Sequence, residues 1–233
     1  MFVVLAPMRS ELAGVARALG MRRAVRAGLH LRHARLGGRE VVAVQAGVGT
    51  RRAGATATTV LERLQPATVA VVGIAGGVGT VRVGDLVVPA TVLDLHSHAR
   101  LTPDPVPGHE ARGVLATSDD LVVDPDRLAA LAAAGVVALD MESAAVGAAC
   151  EAHGVPWWVL RGISDLATDH RDDGILSLVD PDGRPRPGAA ARFVGADPRR
   201  LPTLVRLARG AARATRVAAG ALRRALETGA APA

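Results

Sequence analysis

A strand, a helix and a second strand follow one another in the second half of the chain, and an acid follows each strand. Val136–Leu139 and Trp157–Ile163 are short apolar runs typical of buried strands, and the alanine-rich segment Ser143–His153 between them predicts a helix. Glu142 comes just after the first strand, and Asp165 just after the second. Ligands of open α/β sheets bind outside the carboxyl ends of the strands. We therefore predict that these two carboxylates face one crevice.

The rest of the chain also alternates between strand-like and helix-like patterns. This alternation predicts an α/β fold with a central mixed β-sheet flanked by helices, in a single domain over residues 1–233. The predicted strands are Phe2–Ala6, Gly28–Leu36, Arg39–Gln45, Val69–Ile74, Leu86–Val92 and Val114–Thr117. The predicted helices are Glu11–Leu19, Arg51–Leu64 and Asp126–Ala134, and Thr168–Gly188 is predicted to be a surface loop or lid.

Two consecutive predicted strands end in glycine-rich turns. One turn contains Gly47, Val48 and Gly49, and the other contains Gly76 and Gly77. Neither has the third glycine of a dinucleotide-binding fingerprint. Tight turns that need a positive φ would explain the glycines. Because both turns fall at the same sheet edge, backbone opened for the close approach of a ligand is the interpretation we favour.

Composition excludes several classes of function. The 28 basic residues are all arginine, which removes the P-loop nucleotide site and Schiff-base chemistry on a lysine side chain. Tyrosine is absent and only two Trp and two Phe occur, so a stacking surface for nucleic acid is not expected. The single cysteine, Cys150, excludes intrachain disulfides and cysteine-based zinc sites. With no long apolar run, these features predict a cytoplasmic protein.

Three acids are candidates for chemistry: Glu11, Glu142 and Asp165. Acids that converge in an apolar crevice suit the breaking of a C–N or C–O bond at a sugar carbon, because one carboxyl group protonates the leaving group and another activates water. Buried structural acids remain the alternative, and Glu11 alone is explained as a first-turn helix acid. Three histidines, at positions 96, 98 and 109, match no standard zinc spacing, so no metal is expected.

Five motifs occur in the order typical of one enzyme family. The chain resembles the purine nucleoside phosphorylase/nucleosidase superfamily, on the branch of the methylthioadenosine/S-adenosylhomocysteine nucleosidases, over roughly residues 1–170. The motifs are Ala6-Pro7-Met8-Arg9-Ser10-Glu11, Ala46-Gly47-Val48-Gly49, Val72-Gly73-Ile74-Ala75-Gly76-Gly77-Val78 with Val83-Gly84-Asp85-Leu86-Val87-Val88, Asp140-Met141-Glu142-Ser143-Ala144-Ala145, and Arg161-Gly162-Ile163-Ser164-Asp165.

The resemblance implies a role for each matching residue and no cofactor or metal. Asp165 would protonate N7 of the purine, Glu142 would bind the ribose hydroxyls, and Glu11 would activate the attacking water. The substrate-binding residues would be Met141, Gly47, Val48, Gly49, Gly73, Ile74, Ala75, Gly76, Leu121, Val122 and Ser164. Family members usually form homodimers or larger homo-oligomers, so we expect an oligomer.

The implied function is cleavage of the N-glycosidic bond of a purine nucleoside, with adenine as the expected base. Hydrolysis is favoured because Glu11 is retained, whereas the arginine that phosphorylases carry beside the glycine-rich turn is absent at Gly73. Phosphorolysis stays open because Arg9, Arg51 and Arg52 are placed to hold phosphate. A nucleoside-binding module without turnover is the alternative from another class. Three departures from the family pattern affect the substrate. Ile74 replaces a usual hydroxyl residue, and Leu121 and Val122 stand near the place of a usual aromatic. The region between Asp94 and Gly113 is shorter than usual, which would leave the 5′ side of the ribose more open.

The carboxyl-terminal extension, about residues 189–228, is predicted to be helical and basic. From residue 180 onward the chain has 11 arginines and 4 acids. The extension resembles that of the hopanoid-biosynthesis phosphorylases, which implies an adenosyl-lipid such as adenosylhopane as an alternative substrate. Its apolar residues are spaced as in an amphipathic helix that packs on its own domain. A basic amphipathic helix also suits peripheral contact with an anionic membrane. The apolar positions are Leu201, Leu204, Val205, Ala208, Ala212, Val217 and Leu222.

Overall fold

A mixed sheet of 11 strands lies at the centre of the fold, and the computed structural model describes residues 1–169 and 186–228. The predicted α/β class with helices on both sides of a central sheet is confirmed. The strands are β1 (Phe2–Ala6), β2 (Arg22–Arg26), β3 (Leu29–Leu36), β4 (Arg39–Gln45), β5 (Thr68–Gly77), β6 (Leu86–Val87), β7 (Thr91–Asp94), β8 (Arg100–Leu101), β9 (Val114–Thr117), β10 (Val136–Asp140) and β11 (Trp157–Leu166). The helices are α1 (Arg9–Ala18), α2 (Thr50–Leu64), α3 (Pro125–Ala133), α4 (Ser143–Ala152), α5 (Pro187–Ala196) and α6 (Leu201–Thr228).

Alternating residues of β1 show how the layers are built. Val3 and Leu5 face one core, which contains α2 and α4, whereas Phe2 and Val4 face the other, which contains α1 and α6. This alternation follows from the two-residue period of a strand buried on both faces. β1 pairs in parallel with β4 and with β5, so the strand that precedes Glu11 lies beside the two strands that carry the glycine-rich segments.

Several predicted boundaries were wrong. The segment predicted as one strand over Leu86–Val92 forms two short strands, because Pro89 has no N–H to continue a ladder. β2 was not predicted. It is a mostly exposed strand, so its sequence lacks the alternation of apolar and polar residues that marks a half-buried strand. The predicted loop or lid at Thr168–Gly188 falls largely on residues 170–185, which lie outside the described residues, and α5 begins at Pro187 near its end.

The carboxyl-terminal helix α6 packs on the same face as α1 through a different set of residues from the one predicted. Its buried residues are mostly small: Gly210, Ala214, Thr215, Ala218, Ala219, Ala221, Leu222, Ala225 and Leu226. A Cβ at Gly162 or Gly210 would collide with backbone of the facing element, so helix and strand approach closely here. Of the predicted apolar positions only Leu222 is buried, and Leu201, Val205, Ala208 and Ala212 are exposed. None of the described helices is long and apolar enough to cross a membrane.

Candidate active site

The long strand β5 brings the candidate acids together. It pairs in parallel with β11 along most of its length, and near its end it pairs antiparallel with β10. Gly76 is opposite Asp165 on one side and Leu139 on the other. Glu142 follows the end of β10 as predicted, whereas the prediction that Asp165 lies just past its strand was wrong, because β11 extends to Leu166. The two strands meet at the end of β5, where Gly76 pairs with both.

Glu11 is buried in the first turn of α1 and bridges two elements. Its Oε2 accepts a hydrogen bond of 2.6 Å from the backbone N–H of Met8, as expected of a first-turn helix acid. Its Oε1 accepts a second bond, of 2.8 Å, from the N–H of Ile74 on β5. A Cβ at Gly73 would collide with this carboxylate and with Arg161, so only glycine permits their approach to the strand.

Glu142 is buried at the start of α4 and faces the first glycine-rich turn. Its Oε1 accepts a hydrogen bond of 3.2 Å from the N–H of Gly49. Gly47 and Gly49 have φ values of 87° and 90°, which favour glycine. The positive φ that would explain these glycines is therefore present in this turn. The second segment differs: Gly76 and Gly77 are ordinary strand residues of β5, and the turn with positive φ comes only at Gly79.

Arg161 is the functional candidate that sequence reasoning missed. Its side chain is fully buried on β11, and its Nη2 donates to Asp140 at 2.5 Å and to Glu142 at 3.1 Å. Its Nη1 donates to the carbonyl of Ile74 at 3.4 Å. The signal was present in the sequence, because a charged residue inside the apolar run Trp157–Ile163 must be paired if it is buried.

Asp140 fixes the geometry around Arg161 and the start of α4. Its carboxylate accepts hydrogen bonds from the Thr117 hydroxyl at 2.6 Å and from the Ser143 N–H at 3.2 Å. Thr117 Oγ1 in turn accepts from the N–H of Ala144 at 3.0 Å. Asp140 and Thr117 thereby satisfy N–H groups that the first turn of a helix leaves unpaired. The helix that presents Glu142 is held in place by these two side chains.

Burial dominates the electrostatics of the cluster formed by Glu11, Asp140, Glu142 and Arg161. Burial raises the pKa of Glu142 to about 8, and the nearby Arg161 guanidinium only partly opposes it. Burial also raises the pKa of Glu11, against Arg161 and two backbone hydrogen bonds. For Arg161 burial would lower the pKa, but the three surrounding carboxyl groups raise it. One buried cation thus faces three acids, and the cluster holds a proton near neutral pH.

Asp165 occupies a different environment from the other two acids. It is half-buried, accepts a hydrogen bond from the Ser164 hydroxyl, and borders a groove beside α6. Ser164 is buried and also lies 3.3 Å from the carbonyl oxygen of Ala75. Along β5, the Glu11 contact at Ile74 and the Asp165 partner Gly76 are two residues apart, or roughly 7 Å at the usual strand rise.

The other predicted binding residues line the surrounding walls or the core. Met141 is half-buried between Asp140 and Glu142. Val48 and Gly49 border a cavity of about 330 Å³ at the start of α2. Val122 is buried in a separate apolar cluster with Val78 and Ala167, and Leu121 is half-buried. In the part of the chain that the structure describes, no three His, Cys, Asp or Glu side chains are grouped to hold a metal.

Comparison with known proteins identifies relatives of this architecture. The sequence profile of the family described as Phosphorylase superfamily matches residues 2–112 and 104–180. A 5′-methylthioadenosine/S-adenosylhomocysteine nucleosidase of Bacillus cytotoxicus is 30% identical over 174 residues, which are 60% of this chain and 74% of that protein. The corresponding protein of Bacillus cereus has the same identity and coverage.

Solved structures share the fold at lower identity. The Streptococcus pneumoniae 5′-methylthioadenosine/S-adenosylhomocysteine nucleosidase with the transition-state inhibitor MT-ImmA is 19% identical with a TM-score of 0.72, covering 97% of this chain and 98% of its own. The nucleosidase of Colwellia psychrerythraea in complex with adenine is 19% identical with a TM-score of 0.71, over 97% and 94%. The futalosine hydrolase of Helicobacter pylori is 17% identical with a TM-score of 0.70, over 97% and 96%.

Proposed function

The chain belongs to the phosphorylase superfamily, and from this premise we propose that it hydrolyses the N-glycosidic bond of a purine nucleoside and releases adenine. The family predicted from the five sequence motifs is confirmed. The observation that carries the proposal is that Glu11 contacts Ile74 of β5, Asp165 lies opposite Gly76 of the same strand, and Glu142 is paired with the buried Arg161. This arrangement provides one half-buried carboxyl group and two buried ones.

Each acid has a role that fits its surroundings. Asp165, at the more open end, delivers a proton to N7 of the departing purine. Glu142 binds the ribose hydroxyls, and its interaction strengthens as the sugar becomes cationic in an oxocarbenium-like transition state. Glu11 takes the proton of the attacking water, and its raised pKa makes it a stronger base once it is ionised. Arg161 keeps Glu142 in position, and the backbone N–H groups of Met8 and Ile74 hold Glu11.

The nucleophile is water in this proposal because carboxylates already occupy the sites that phosphate would need. The N–H groups of Met8 and Ile74 both donate to Glu11. The start of α2, an ordinary anion-binding position, is taken by Asp119, which accepts from the Thr50 N–H at 2.9 Å. At both positions the N–H groups already donate to carboxylates, so Arg51 and Arg52 on α2 do not create a phosphate site by themselves.

A direct assay tests the proposal. The purified protein is incubated with methylthioadenosine, S-adenosylhomocysteine and adenosine, with and without phosphate, and adenine is followed by chromatography. We expect adenine and free sugar without phosphate. Adenine that forms only with phosphate would reverse the choice of nucleophile, and no base from any of the three nucleosides would favour the binding module without turnover.

A second candidate substrate is an adenosyl-lipid, cleaved by water or phosphate at the same bond. The observation that favours it is the exposed apolar surface at the start of α6, where Leu201 is 52% and Val205 is 40% exposed. This surface borders the groove that reaches Asp165. An apolar substituent on the nucleoside would cover it.

The same surface supports peripheral contact with an anionic membrane, which we retain as part of the proposal. Leu201 and Val205 project from the first two turns of α6, and Arg209, Arg213 and Arg216 of the helix are exposed. Such a surface suits shallow burial among acidic lipid headgroups. The expectations of a cytoplasmic location and of a homo-oligomer also remain proposals, and light scattering of the purified protein would test the second.

A further inference from the structure

Two acids from different elements hold the turn that leads into α2. Glu142, at the start of α4, accepts a hydrogen bond of 3.2 Å from the N–H of Gly49. Asp119, in the loop over residues 118–124 that follows β9, accepts one of 2.9 Å from the N–H of the next residue, Thr50. Neighbouring backbone groups thus connect the buried acid of the proposed reaction site with an exposed acid of a separate loop.

Asp119 caps α2, although it is distant from that helix in the sequence. The first N–H groups of a helix have no partner within the helix, and Gly49 at the N-cap position has no side chain to accept from them. The Asp119 carboxylate fills this role, and it also accepts from the Thr50 hydroxyl, whose Oγ1 lies 2.7 Å from each of its two oxygens. A carboxylate is favoured here because the amino end of a helix carries partial positive charge.

The loop over residues 118–124 lies between the two sides of the proposed reaction site. Its first N–H donates at 2.9 Å to the carbonyl of Asp140, the acid that is paired with Arg161. Further along, Val122 is buried in the apolar cluster that includes Ala167, which comes shortly after Asp165 in the sequence. The loop therefore adjoins the buried acids at one end and the surroundings of Asp165 at the other.

The contact between Asp119 and Thr50 joins this loop to α2. Asp119 and Gly49 both line the cavity of about 330 Å³ at the start of α2, so the contact sets the separation of the two sides of that cavity. A loop released from α2 would have to be ordered again whenever a ligand binds, and the cost of ordering weakens binding. Asp119 is exposed and Thr50 only half-buried, so breaking their contact removes no part of the core. The contact should therefore affect ligand affinity more than the stability of the fold.

We propose that Asp119 is a positioning residue for the reaction, and that its contact with Thr50 holds the loop over residues 118–124 in the conformation that binds the nucleoside. This inference rests on the proposed function. Asp119 acts through the loop and through the turn next to Glu142, and not on the reacting bond itself. Neither Asp119 nor Thr50 belongs to the five sequence motifs of the family.

Kinetics of variants at the two positions test the inference. In Asp119→Ala we expect the KM for methylthioadenosine and the Kd for adenine to rise about 10-fold, the factor for one charge-assisted hydrogen bond of modest strength, with kcat close to wild type. Thr50→Val removes the hydroxyl and should raise both constants, whereas Thr50→Ser retains it and should behave as wild type. In the Asp119→Ala/Thr50→Val variant the two effects should not add, because both changes break the same contact.

Asp120→Ala is the matched control, because it removes the same charge from the neighbouring exposed position of the loop. It should leave the KM and the Kd unchanged. Unchanged constants in Asp119→Ala, an equal rise in Asp120→Ala, or additive effects in the double variant would each overturn the inference. A loss of kcat together with a lower midpoint of urea unfolding in Asp119→Ala would also overturn it, because Asp119 would then have a structural role alone.

The adenine measurement separates this test from that of the proposed function. Wild-type turnover with equal adenine affinity in Asp119→Ala would overturn the inference and leave the proposed function intact. Wild-type protein that cleaves no nucleoside would overturn the proposed function, and the Kd for adenine in calorimetry would then decide the inference about the loop by itself. Wild-type protein that neither cleaves a nucleoside nor binds adenine would overturn both.

Discussion

Arg161 Nη2 lies 3.1 Å from Oε2 of Glu142, and both side chains are buried. The same nitrogen also donates to Asp140 at 2.5 Å. Glu142 therefore shares its cation with a second acid, and it keeps a high affinity for a proton despite the ion pair. The protonation of Glu142 therefore affects both the stability of the fold and the chemistry of the site.

The stability of the protein should fall as the pH rises from about 4.5 to about 8. Glu142 has a pKa of about 8 in the folded protein against an ordinary value of 4.5, so the folded state holds this proton more tightly than the unfolded state. The stabilisation is complete below the ordinary value and is lost as the pH rises through the folded value. Glu142→Gln should reduce this slope in urea unfolding measured at pH 5 to 8.

The exposed acid Glu62 on α2 provides the control for this measurement. Glu62→Gln should leave the slope of wild-type protein unchanged. An equal slope in the Glu142→Gln variant would mean that Glu142 is ionised in the folded protein throughout this range.

The variant Asp165→Asn should fold normally and lose turnover. Asparagine cannot deliver a proton, and loss of general-acid help costs about 10²- to 10⁴-fold in kcat. Adenine release under single-turnover conditions measures the loss, and circular dichroism checks the fold. Asp120→Asn, an exposed acid elsewhere, serves as the matched control. Turnover close to wild type would remove Asp165 from the role of acid.

The variant Glu142→Gln should lose more in kcat than in substrate affinity. The ribose hydroxyls interact most strongly with Glu142 as positive charge develops on the sugar, so the lost energy belongs to the transition state. Glutamine also leaves Arg161 paired with Asp140, which limits damage to the fold. Steady-state kinetics on methylthioadenosine separate the two parameters, and an effect confined to KM would contradict the assignment.

The sequence predicted most of the strands and helices, but it did not predict how they pair and pack against one another. The apolar runs located β1, β4, β5, β9, β10 and β11, and the helix predicted over Asp126–Ala134 is α3, displaced by one residue. The antiparallel pairing of β10 with β5 was not predictable, because periodicity fixes which face of a strand is buried but not its neighbour. Arg161 was overlooked because an isolated charge in an apolar run gives no indication of its partners. The buried face of α6 was misassigned because close packing on Gly162 selected alanines over larger side chains.

Gly73→Ala should destabilise the protein and lower its activity together. The new methyl group would meet the Glu11 carboxylate and the Arg161 guanidinium, and overpacking of this kind costs about 1–3 kcal/mol. Gly195→Ala on α5 is the matched control, since a Cβ there meets no neighbouring atom. Urea unfolding and adenine release measure the two effects. A Gly73→Ala variant with wild-type stability would show that Glu11 and Arg161 move apart without cost.

The exposed start of α6 should bind anionic vesicles at low salt. Removing the whole helix would not test this, because Ala218, Leu222 and Leu226 belong to the core. Leu201→Ser/Val205→Ser removes the exposed apolar surface alone and should reduce co-sedimentation with phosphatidylglycerol vesicles. Each arginine near the surface contributes about 1 kcal/mol, so high salt should release the protein. Val25→Ser is the control, because Val25 is 65% exposed but lies on β2. Wild-type protein that stays in the supernatant at low salt, or an equal loss in the Val25→Ser variant, would leave α6 as a helix that only packs on its own domain.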